Sequence, residues 1–312
     1  MSLALPRISN RVTSREDFPF TVFECESYLS EEEFSRLATE FPWQMILQSS
    51  DNENFRFRID EYGHRNLYRE VLRTRPYLAT FLRSLHSHFF IRDLLSTFRA
   101  PIVARFPPSA RLKRLGLRLA PTWIFDLKVD LTVYKRGFHL TPHTDAVDKV
   151  VAILMYFEDP SGETCDSATS HALGGTRFWR AKTVEREVAW RDRLTANNPL
   201  SHSNETVLSL TLERKFDSSD SLSDQFSEFQ RDFEQFRFSK ARNNHLAGFV
   251  KSNISWHSVD LTEYPDNMLR GAILINLNLP PVSLRRCAYN FLKQYGFHRF
   301  LDSRARRRES SP

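Results

Sequence analysis

The chain has 312 residues, enough to bury a full hydrophobic core within one elaborated domain. Hydrophobic residues make up 41% and charged residues 26% of the sequence, which is typical of a folded globular protein and excludes a disordered or fibrous chain. The formal net charge of +6 comes mainly from arginine, with clusters at 105–118 and 304–308; without interleaved aromatic residues or a known nucleic-acid module, a solvated basic surface is favoured over a nucleic-acid interface.

The cysteine content and the apolar pattern indicate the cellular setting. Cys25, Cys165 and Cys287 are too few and too scattered for a disulfide framework or a zinc ribbon, so we expect a reduced, cytoplasmic setting. Residues 1–11 lack the apolar segment of a secretory signal, and no apolar run approaches the roughly 20 residues that span a bilayer. The sequence therefore predicts no membrane partner.

The first third of the chain is predicted to be mainly helical. A short strand is expected at 18–23. Ser30 followed by Glu33 is the capping-box pattern of a helix N-terminus, and Pro42 ends that helix. A second, longer helix begins near Pro76, a residue that suits a first helical turn. Both helices carry apolar residues at helical spacing: Phe34, Leu37, Ala38 and Phe41 in the first, and Phe81, Leu82, Leu85, Phe89 and Leu94 in the second.

Strands dominate after a basic, turn-rich segment at 107–108. Residues 127–134 alternate between apolar and polar side chains, which predicts a strand with one apolar face. Residues 150–157 are almost continuously apolar, as expected of a strand covered on both faces. Gly174 and Gly175 permit a tight turn before another strand. Further strands are predicted at 177–179, 246–251, 256–261 and 271–279.

Residues 181–245 interrupt the strand pattern and are predicted to form a partly helical insert. A polar turn is expected at 218–223. Phenylalanines then recur at helical spacing, at Phe226, Phe229, Phe233 and Phe236. The insert is a candidate lid or substrate-recognition element, although the favoured interpretation of the phenylalanine stripe is that it docks the insert onto the sheets.

His143 and Asp145 are the residues whose type and spacing point most directly to chemistry. On an extended segment, positions i and i+2 project from one face, so both side chains can reach one cation. His257 is the best candidate for a third ligand because it lies in a strand-like segment and precedes Arg270 at the start of another strand. Two histidines and one carboxylate leave the opposite face of a metal open, which is typical of non-haem Fe(II) oxygenases. His202 and His245 are weaker ligand candidates.

A longer pattern surrounds these residues. Tyr134-x-x-Gly137 is followed after five residues by His-x-Asp, then by an apolar strand, Gly-Gly-Thr at 174–176, Trp-His at 256–257 and finally Arg270. Over roughly residues 126–280 this pattern resembles the Fe(II)/2-oxoglutarate-dependent dioxygenase superfamily, and within it the prolyl-4-hydroxylase-like branch. The N-terminal third is compatible with the resemblance, and the insert has no counterpart in it.

The resemblance implies a fold and a division of the chain. The fold would be α+β, built on a double-stranded β-helix, a jelly-roll or cupin-like barrel flanked by N-terminal helices. Residues 1–125 would form a helical layer that packs on the barrel, and residues 126–285 would form the catalytic core, with the insert at 181–245. Residues 286–312 would form a C-terminal segment with a basic tail.

The resemblance also implies roles for individual residues. His143, Asp145 and His257 would be the metal ligands and catalytic set for Fe(II). Arg270 would bind the distal carboxylate of the co-substrate 2-oxoglutarate by paired charge-assisted hydrogen bonds, and O2 would be the second co-substrate. Where the branch usually has a tyrosine three residues before the first histidine, this chain has Leu140. Three other residues are left as candidates for that co-substrate contact: Tyr134, Thr132 and Asn276.

The strand pattern gives an independent check on Arg270. If Arg270 faces the barrel interior, its face also carries Ala272, Leu274, Asn276 and Asn278, while Gly271, Ile273, Ile275, Leu277 and Leu279 face outward. The same logic places Asp130, Thr132 and Tyr134 inside and Leu127, Val129, Leu131 and Val133 against the helices. The apolar sets therefore fall on the sides that helices must cover.

The implied activity is hydroxylation, or another oxidation by hydrogen abstraction, of a small biosynthetic or amino-acid-like molecule, with release of succinate and CO2. Asp145 fills the position that related halogenases leave open for halide, and desaturation or ring closure remain open.

One alternative is an oxygenase that modifies a protein residue or alkylated nucleic acid. Nucleic acid is not the expected partner, because demethylases of this kind generally carry a second arginine soon after the first, whereas Arg285 and Arg286 follow Pro280 and Pro281. The other alternative is a non-catalytic jelly-roll binding module. The sequence leaves the oligomeric state open.

Overall fold

The computed structural model describes residues 3–49, 52–53, 55–104, 115, 118–145, 148–159, 174–196, 222–262, 264–265, 268–279 and 284–295. The basic segment at 105–114 with its turn, His202, the start of the polar turn at 218–221 and the basic tail at 304–308 lie outside these residues. Within them the protein combines α-helices with two antiparallel sheets, which confirms the mixed helix and sheet class.

The described residues contain the strands of a larger and a smaller sheet. They are β1 (Ser14–Glu16), β2 (Val22–Cys25), β3 (Asn52–Glu53), β4 (Arg56–Asp60), β5 (Asp126–Tyr134), β6 (His139–His143), β7 (Lys149–Glu158), β8 (Thr176–Ala181), β9 (Phe233–Ser239), β10 (Leu246–Val250), β11 (Trp256–Asp260) and β12 (Arg270–Asn278). The larger sheet has the order β1-β2-β10-β7-β12-β5-β4-β3, and the smaller sheet has the order β6-β11-β8-β9. The predicted strands of the second half of the chain are thus confirmed within one or two residues.

The helices belong mainly to the first third of the chain. They are α1 (Ile8–Arg11), α2 (Glu31–Glu40), α3 (Trp43–Leu47), α4 (Arg65–Thr74), α5 (Pro76–Leu85), α6 (His88–Thr97), α7 (Arg99–Ala104), α8 (Val184–Ala196), α9 (Leu222–Asp232) and α10 (Leu284–Gln294). The predicted capping box is confirmed at α2: the Ser30 hydroxyl accepts a hydrogen bond from the Glu33 backbone N–H, and the Glu33 carboxylate accepts one from the Ser30 N–H.

The second predicted helix begins where expected but is not continuous. Pro76 opens α5 at its first position. The chain then breaks at His86 and Ser87, and the Ser87 hydroxyl caps α6 by accepting from the Phe90 N–H. The restart shifts the phase of the apolar face. Phe89, which was expected to pack, is therefore 81% exposed.

The helices cover one face of the larger sheet. Strands β5 and β12 pair in register from Arg270 opposite Tyr134 to Asn278 opposite Asp126. Their predicted outward residues enter the main core together with α2, α5 and α6: Leu127, Val129, Leu131 and Val133 from β5, and Ile273, Ile275 and Leu277 from β12. The predicted facing of both strands is confirmed on this side. β7 pairs with β12 and is buried along most of its length, as its continuous apolar sequence predicts.

The first third also supplies β1 to β4 to the larger sheet, of which the sequence indicated only the strand expected at 18–23. β1 and β2 extend one end of this sheet beyond β10, and β3 and β4 extend the other end beyond β5. The strand expected at 18–23 is displaced to Val22–Cys25, because its partner β10 pairs Leu246 with Cys25 and Phe249 with Val22. Register with an existing strand decides the position of a short segment that has little pattern of its own.

The insert is partly helical, as predicted, but part of its phenylalanine stripe is in a strand. Phe226 and Phe229 lie on α9, whereas Phe233 and Phe236 belong to β9, so their assignment to a helix is wrong. β9 pairs along β8, with Thr176 opposite Ser239. Backbone pairing at the sheet edge overrides the helical spacing of the side chains. The close approach of the two strands requires a glycine at Gly175, where a Cβ would clash with the Ser239 carbonyl oxygen.

The inner faces of the two sheets contact each other through apolar clusters. One cluster, named the inner cluster, joins Val259 of the smaller sheet to Tyr134, Tyr156 and Ala272 of the larger sheet. A second cluster joins Phe178 of the smaller sheet to Ala152 and Phe249 of the larger sheet. The space between the sheets is therefore enclosed by side chains from both. Among the described residues, no helix has the length and apolarity needed to cross a membrane.

Candidate metal centre

His143 and His257 face each other across two neighbouring strands. His143 ends β6, and its Cα partner on the antiparallel strand β11 is His257. The two imidazole ring centres are 4.2 Å apart. Asp145 follows two residues after His143, just beyond the end of β6. One potential ligand atom from each of His143, Asp145 and His257 lies within 4.8 Å of the others, the one such group of three or more among the described residues.

The turn before β6 explains part of the Tyr-x-x-Gly pattern. Gly137 has a φ of +89°, a left-handed conformation that side chains disfavour. Its backbone N–H donates to the Leu261 carbonyl at 3.1 Å, next to the end of β11. The turn thereby brings the start of β6 against the end of β11 and sets the pairing that places the two histidines opposite each other.

Both histidines present the same nitrogen to the candidate centre. The Nδ1–H of His143 donates to the Thr141 carbonyl at 2.9 Å, and the Nδ1–H of His257 donates to the Ser255 carbonyl at 3.0 Å. A carbonyl oxygen only accepts, so Nδ1 carries a proton in both rings, and the neutral form of each ring has its lone pair on Nε2. The Nε2 atoms lie 4.0 Å (His143) and 3.8 Å (His257) from the Asp145 carboxylate oxygens. The backbone thus orients both rings as metal ligands are oriented.

The electrostatics favour the protonation states that a metal requires. Burial and the neighbouring His143 lower the pKa of His257 from 6.5 to about 3, so its imidazole is neutral near pH 7. Burial alone would raise the pKa of Asp145, but Lys149, His257 and His143 together hold it well below its ordinary value. His257 and Asp145 therefore offer a neutral imidazole and an ionised carboxylate, with no proton to displace from either.

The two oxygens of Asp145 have different surroundings. Oδ1 accepts a hydrogen bond from Lys149 Nζ at 2.6 Å. Oδ2 is buried and has no hydrogen-bond partner among the described residues. A buried carboxylate oxygen without a partner is costly unless a ligand satisfies it. Oδ2 is thus the oxygen that the fold leaves for a cation.

Arg270 is a second buried group that has no hydrogen-bond partner among the described residues. It is 1% exposed, and none of its three guanidinium nitrogens has a hydrogen-bond partner there. Its guanidinium carbon lies 4.9 Å from the ring centre of Tyr134 and 4.8 Å from that of Tyr156. Ring faces compensate a cation only in part, so a buried guanidinium in this position is suited to an anionic ligand that can accept two parallel hydrogen bonds.

Arg270 and the histidines border the same space between the sheets. Tyr134 and Tyr156, which flank Arg270, belong to the inner cluster that also contains Val259. Val259 lies two residues after His257 on β11, and its Cα partner on β6 is Leu140. Leu140 packs against this inner cluster as well. Leu140, which stands where the prolyl-4-hydroxylase-like branch usually has a tyrosine, therefore makes an apolar contact in this protein.

The other predicted co-substrate residues are placed as follows. Tyr134 lies beside Arg270. Thr132 is fully buried, and its hydroxyl donates to the Ala272 carbonyl at 3.1 Å, which leaves its lone pairs as acceptors only. Asn276 is half-buried on β12, opposite Ala152 of β7. Of the three, only Tyr134 contacts Arg270 in the interactions described.

Sequence reasoning missed Lys149 and Tyr156. Tyr156 lies within the apolar run of β7, and its hydroxyl shares a 2.9 Å hydrogen bond with the Thr176 hydroxyl. Burial raises the pKa of Tyr156, so the phenol stays protonated. Its hydroxyl, the one polar side-chain group in the apolar run at 150–157, could have marked Tyr156 in the sequence. Lys149 had a signal too, since it lies four residues after Asp145 at the start of a strand.

Helices α8 and α9 of the insert pack on the side of the smaller sheet that faces away from the candidate centre. Trp256 and Ser258 alternate with His257 along β11 and therefore point away from the candidate centre. Trp256 packs with Phe229 and Phe233 of the insert. This contact supports the docking interpretation of the stripe. The role as a lid stays a prediction. His245, the weaker ligand candidate, is buried elsewhere and donates from Nδ1 to the Lys240 carbonyl.

Comparisons with known proteins give matches at the level of fold alone. No family model matches the sequence, and no curated protein matches it. A prolyl-4-hydroxylase from Pseudomonas putida is 11% identical with a TM-score of 0.40, over 88% of this chain and 100% of that chain. EvdO2 from Micromonospora carbonacea var. aurantiaca, complexed with 2-oxoglutarate, is 9% identical with a TM-score of 0.40, over 91% and 95%.

A third solved structure is the epimerase SnoN in complex with Fe³⁺, alpha ketoglutarate and nogalamycin RO. It is 8% identical with a TM-score of 0.37, over 85% of this chain and 84% of that chain. These identities and TM-scores are too low to carry a functional argument.

Proposed function

We propose that this protein is a non-haem Fe(II)- and 2-oxoglutarate-dependent oxygenase with His143, Asp145 and His257 as its metal ligands. One observation carries the proposal. A buried His-Asp-His group borders the same inter-sheet space as a buried guanidinium that has no hydrogen-bond partner among the described residues. A structural metal site needs no such cation nearby, whereas an anionic co-substrate does.

The donor set fits Fe(II). Two neutral imidazoles and one carboxylate suit a first-row divalent metal and leave the opposite face open, unlike the closed four-ligand set of a structural zinc site. Such an ion would satisfy the buried Oδ2 of Asp145, which has no hydrogen-bond partner among the described residues. Bound iron would supply the activation of O2 that is coupled to the conversion of 2-oxoglutarate to succinate and CO2 and to oxidation of the substrate.

The protein's own residues bind and orient the reactants. Arg270 would bind the distal carboxylate of 2-oxoglutarate, with the Tyr134 and Tyr156 rings holding the guanidinium in place. Tyr134, Thr132 and Asn276 remain candidates for a further contact to the co-substrate. The inner apolar cluster around Val259 and Ala272 would exclude water from the space where the substrate is oxidised.

We infer a double-stranded β-helix for the two sheets, a catalytic core over 126–285 and an N-terminal layer over 1–125. The proposed reaction is hydroxylation of a small biosynthetic or amino-acid-like molecule. A cytoplasmic location stays a prediction from the cysteine content.

Succinate release tests this proposal and divides the substrate classes. Purified protein with Fe(II), O2 and 2-oxoglutarate would be screened against pools of metabolites, peptides and oligonucleotides. We expect the metabolite pool to stimulate succinate release, and the Asp145→Ala variant to abolish that stimulation. Stimulation by peptides or oligonucleotides instead would favour a macromolecular substrate. If no pool raises succinate above the level of the variant, and the wild-type protein also shows no visible charge-transfer band with Fe(II) and 2-oxoglutarate, the oxygenase proposal is wrong.

A further inference from the structure

Lys149 holds one oxygen of the carboxylate that faces the candidate metal centre. Its Nζ lies 2.6 Å from Asp145 Oδ1, at an exposure of 19% for the lysine side chain and 11% for the aspartate side chain. Lys149 is the first residue of β7, in the larger sheet, whereas Asp145 follows β6 of the smaller sheet. The ion pair thus fixes the carboxylate with respect to both sheets.

The ion pair makes the two carboxylate oxygens inequivalent. Oδ1 is engaged by a charged donor, and Oδ2 is the buried oxygen without a hydrogen-bond partner, 3.8 Å from His257 Nε2. A carboxylate binds metals through one oxygen or through both. Here a second metal bond through Oδ1 would have to compete with a short, partly buried, charge-assisted hydrogen bond.

The number of oxygens that bind decides how many positions remain for co-substrates. In a six-coordinate site, two histidines and a one-oxygen carboxylate leave about three positions, which is what a chelating keto acid and O2 together require. A two-oxygen carboxylate would leave about two. Control of the aspartate binding mode is therefore control of co-substrate access.

We propose that Lys149 is a positioning residue that restricts Asp145 to one-oxygen coordination and so keeps a coordination position open for the co-substrates. This inference rests on the proposed function, because it presupposes a metal at His143, Asp145 and His257. It concerns a residue that contacts neither metal nor substrate and acts through Asp145. A lysine that served only as a counter-ion for a buried carboxylate would leave the binding mode unchanged when removed.

The test compares Lys149→Met and Lys149→Arg with the wild-type protein. Met removes the donor and the charge at similar side-chain length, and Arg keeps both. Lys135→Met is the matched control, since it removes one positive charge from an exposed residue next to the Phe57 ring. Near-ultraviolet circular dichroism and thermal unfolding of each variant would establish that it is folded.

Two readouts need no turnover. The first is the number of exchangeable waters on bound Mn(II), from water proton relaxation in the absence of co-substrate. The second is the dissociation constant of 2-oxoglutarate for the Fe(II)-loaded protein under anaerobic conditions. The water count separates an effect on metal coordination from a long-range electrostatic effect. Loss of a distant positive charge weakens the binding of anionic 2-oxoglutarate but does not remove a coordination position on the metal.

We expect wild type, Lys149→Arg and Lys135→Met to have the same water count. Lys149→Met should still bind Mn(II), lose about one exchangeable water, and bind 2-oxoglutarate at least about 10-fold more weakly, the scale of effect seen when second-layer partners of metal ligands are removed. An unchanged water count in Lys149→Met would overturn the inference. So would complete loss of metal binding by folded Lys149→Met, since Lys149 would then be needed to place the carboxylate at all. Failure of the wild type to bind any divalent metal would instead refute the proposed function.

Discussion

The guanidinium carbon of Arg270 lies 4.8 Å from the ring centre of Tyr156, and both side chains are buried between the two sheets. The Tyr156 hydroxyl shares a 2.9 Å hydrogen bond with the Thr176 hydroxyl, so Tyr156 contacts Arg270 through the face of its ring. The pair therefore orients a cation without neutralising it. Burying a charge in this way is costly, and a bound anion would offset that cost.

Replacement of Arg270 by methionine should separate stability from binding. In the metal-free protein we expect the free energy of unfolding to rise by about 1 kcal/mol, because the cost of an unsatisfied buried donor group exceeds the lost contacts with the Tyr134 and Tyr156 rings. Binding of 2-oxoglutarate to the Fe(II)-loaded variant should weaken at least about 100-fold, since two charge-assisted hydrogen bonds are lost. Urea unfolding and anaerobic titration measure the two effects.

Arg270→Lys provides the control for charge. It keeps the cation but cannot make two parallel hydrogen bonds, so its affinity for 2-oxoglutarate should fall between wild type and Arg270→Met. Metal binding should be equal in all three proteins. An Arg270→Met variant that binds 2-oxoglutarate as tightly as wild type would show that the co-substrate carboxylate is recognised elsewhere.

Acidification should destabilise the metal-free protein through His257. The pKa of His257 falls from 6.5 to about 3 on folding, because of burial and the neighbouring His143. Between these values the unfolded state binds the extra proton, so the free energy of unfolding decreases as pH falls, by at most about 1.4 kcal/mol per pH unit from this group. Folding lowers the pKa of Asp145 from 3.8. Its contribution to the free energy of unfolding is therefore fully present above pH 3.8 and does not change between pH 7 and pH 5.

Urea unfolding at pH 7, 6 and 5 measures this dependence. The His257→Asn variant should show a shallower decrease than wild type because it has no imidazole to protonate at this position. Equal slopes for the two proteins would mean that His257 is not held neutral in the folded state.

The docking of the insert should depend on Phe229. Its ring stacks on Phe233 at 4.0 Å between centres and meets Trp190 and Trp256 edge-on or tilted, at 5.4 Å each. Phe229→Ala should lower the free energy of unfolding of the insert by about 3–5 kcal/mol. Phe89→Ala, at a residue that is 81% exposed, should change stability by less than about 0.5 kcal/mol.

Hydrogen exchange would show where the loss occurs. We expect Phe229→Ala to lose amide protection first in α9 and β9, while β6 and β11 keep theirs. Uniform loss across both sheets would mean that the stripe belongs to the main core and is not a docking contact.

The sequence was informative where alternation or capping chemistry is strong. The outward residues of β5 and β12 pack under the helices as their alternation predicts, and the Ser30 capping box forms at α2. In each case the local pattern and the tertiary environment favour the same structure, so one sequence is enough.

Other elements depended on contacts that one sequence does not show. Phe233 and Phe236 have helical spacing but lie in β9, because pairing with β8 outweighs the local preference. β1 and β3 are two- or three-residue strands defined only by their partners. The candidate centre shows the same division: His143 and Asp145 are marked by their spacing, whereas the ion pair of Lys149 with Asp145 depends on how the two sheets meet.

Anaerobic absorption spectroscopy tests the central claim most directly. Addition of Fe(II) and then 2-oxoglutarate to the wild-type protein should produce a weak visible charge-transfer band, because the keto acid would chelate iron that His143, Asp145 and His257 would hold. The band should be absent from folded His143→Ala and Asp145→Ala variants and present in Phe89→Ala. If well-folded wild-type protein binds Fe(II) and 2-oxoglutarate without this band, or if the band persists in Asp145→Ala, the proposed centre is wrong.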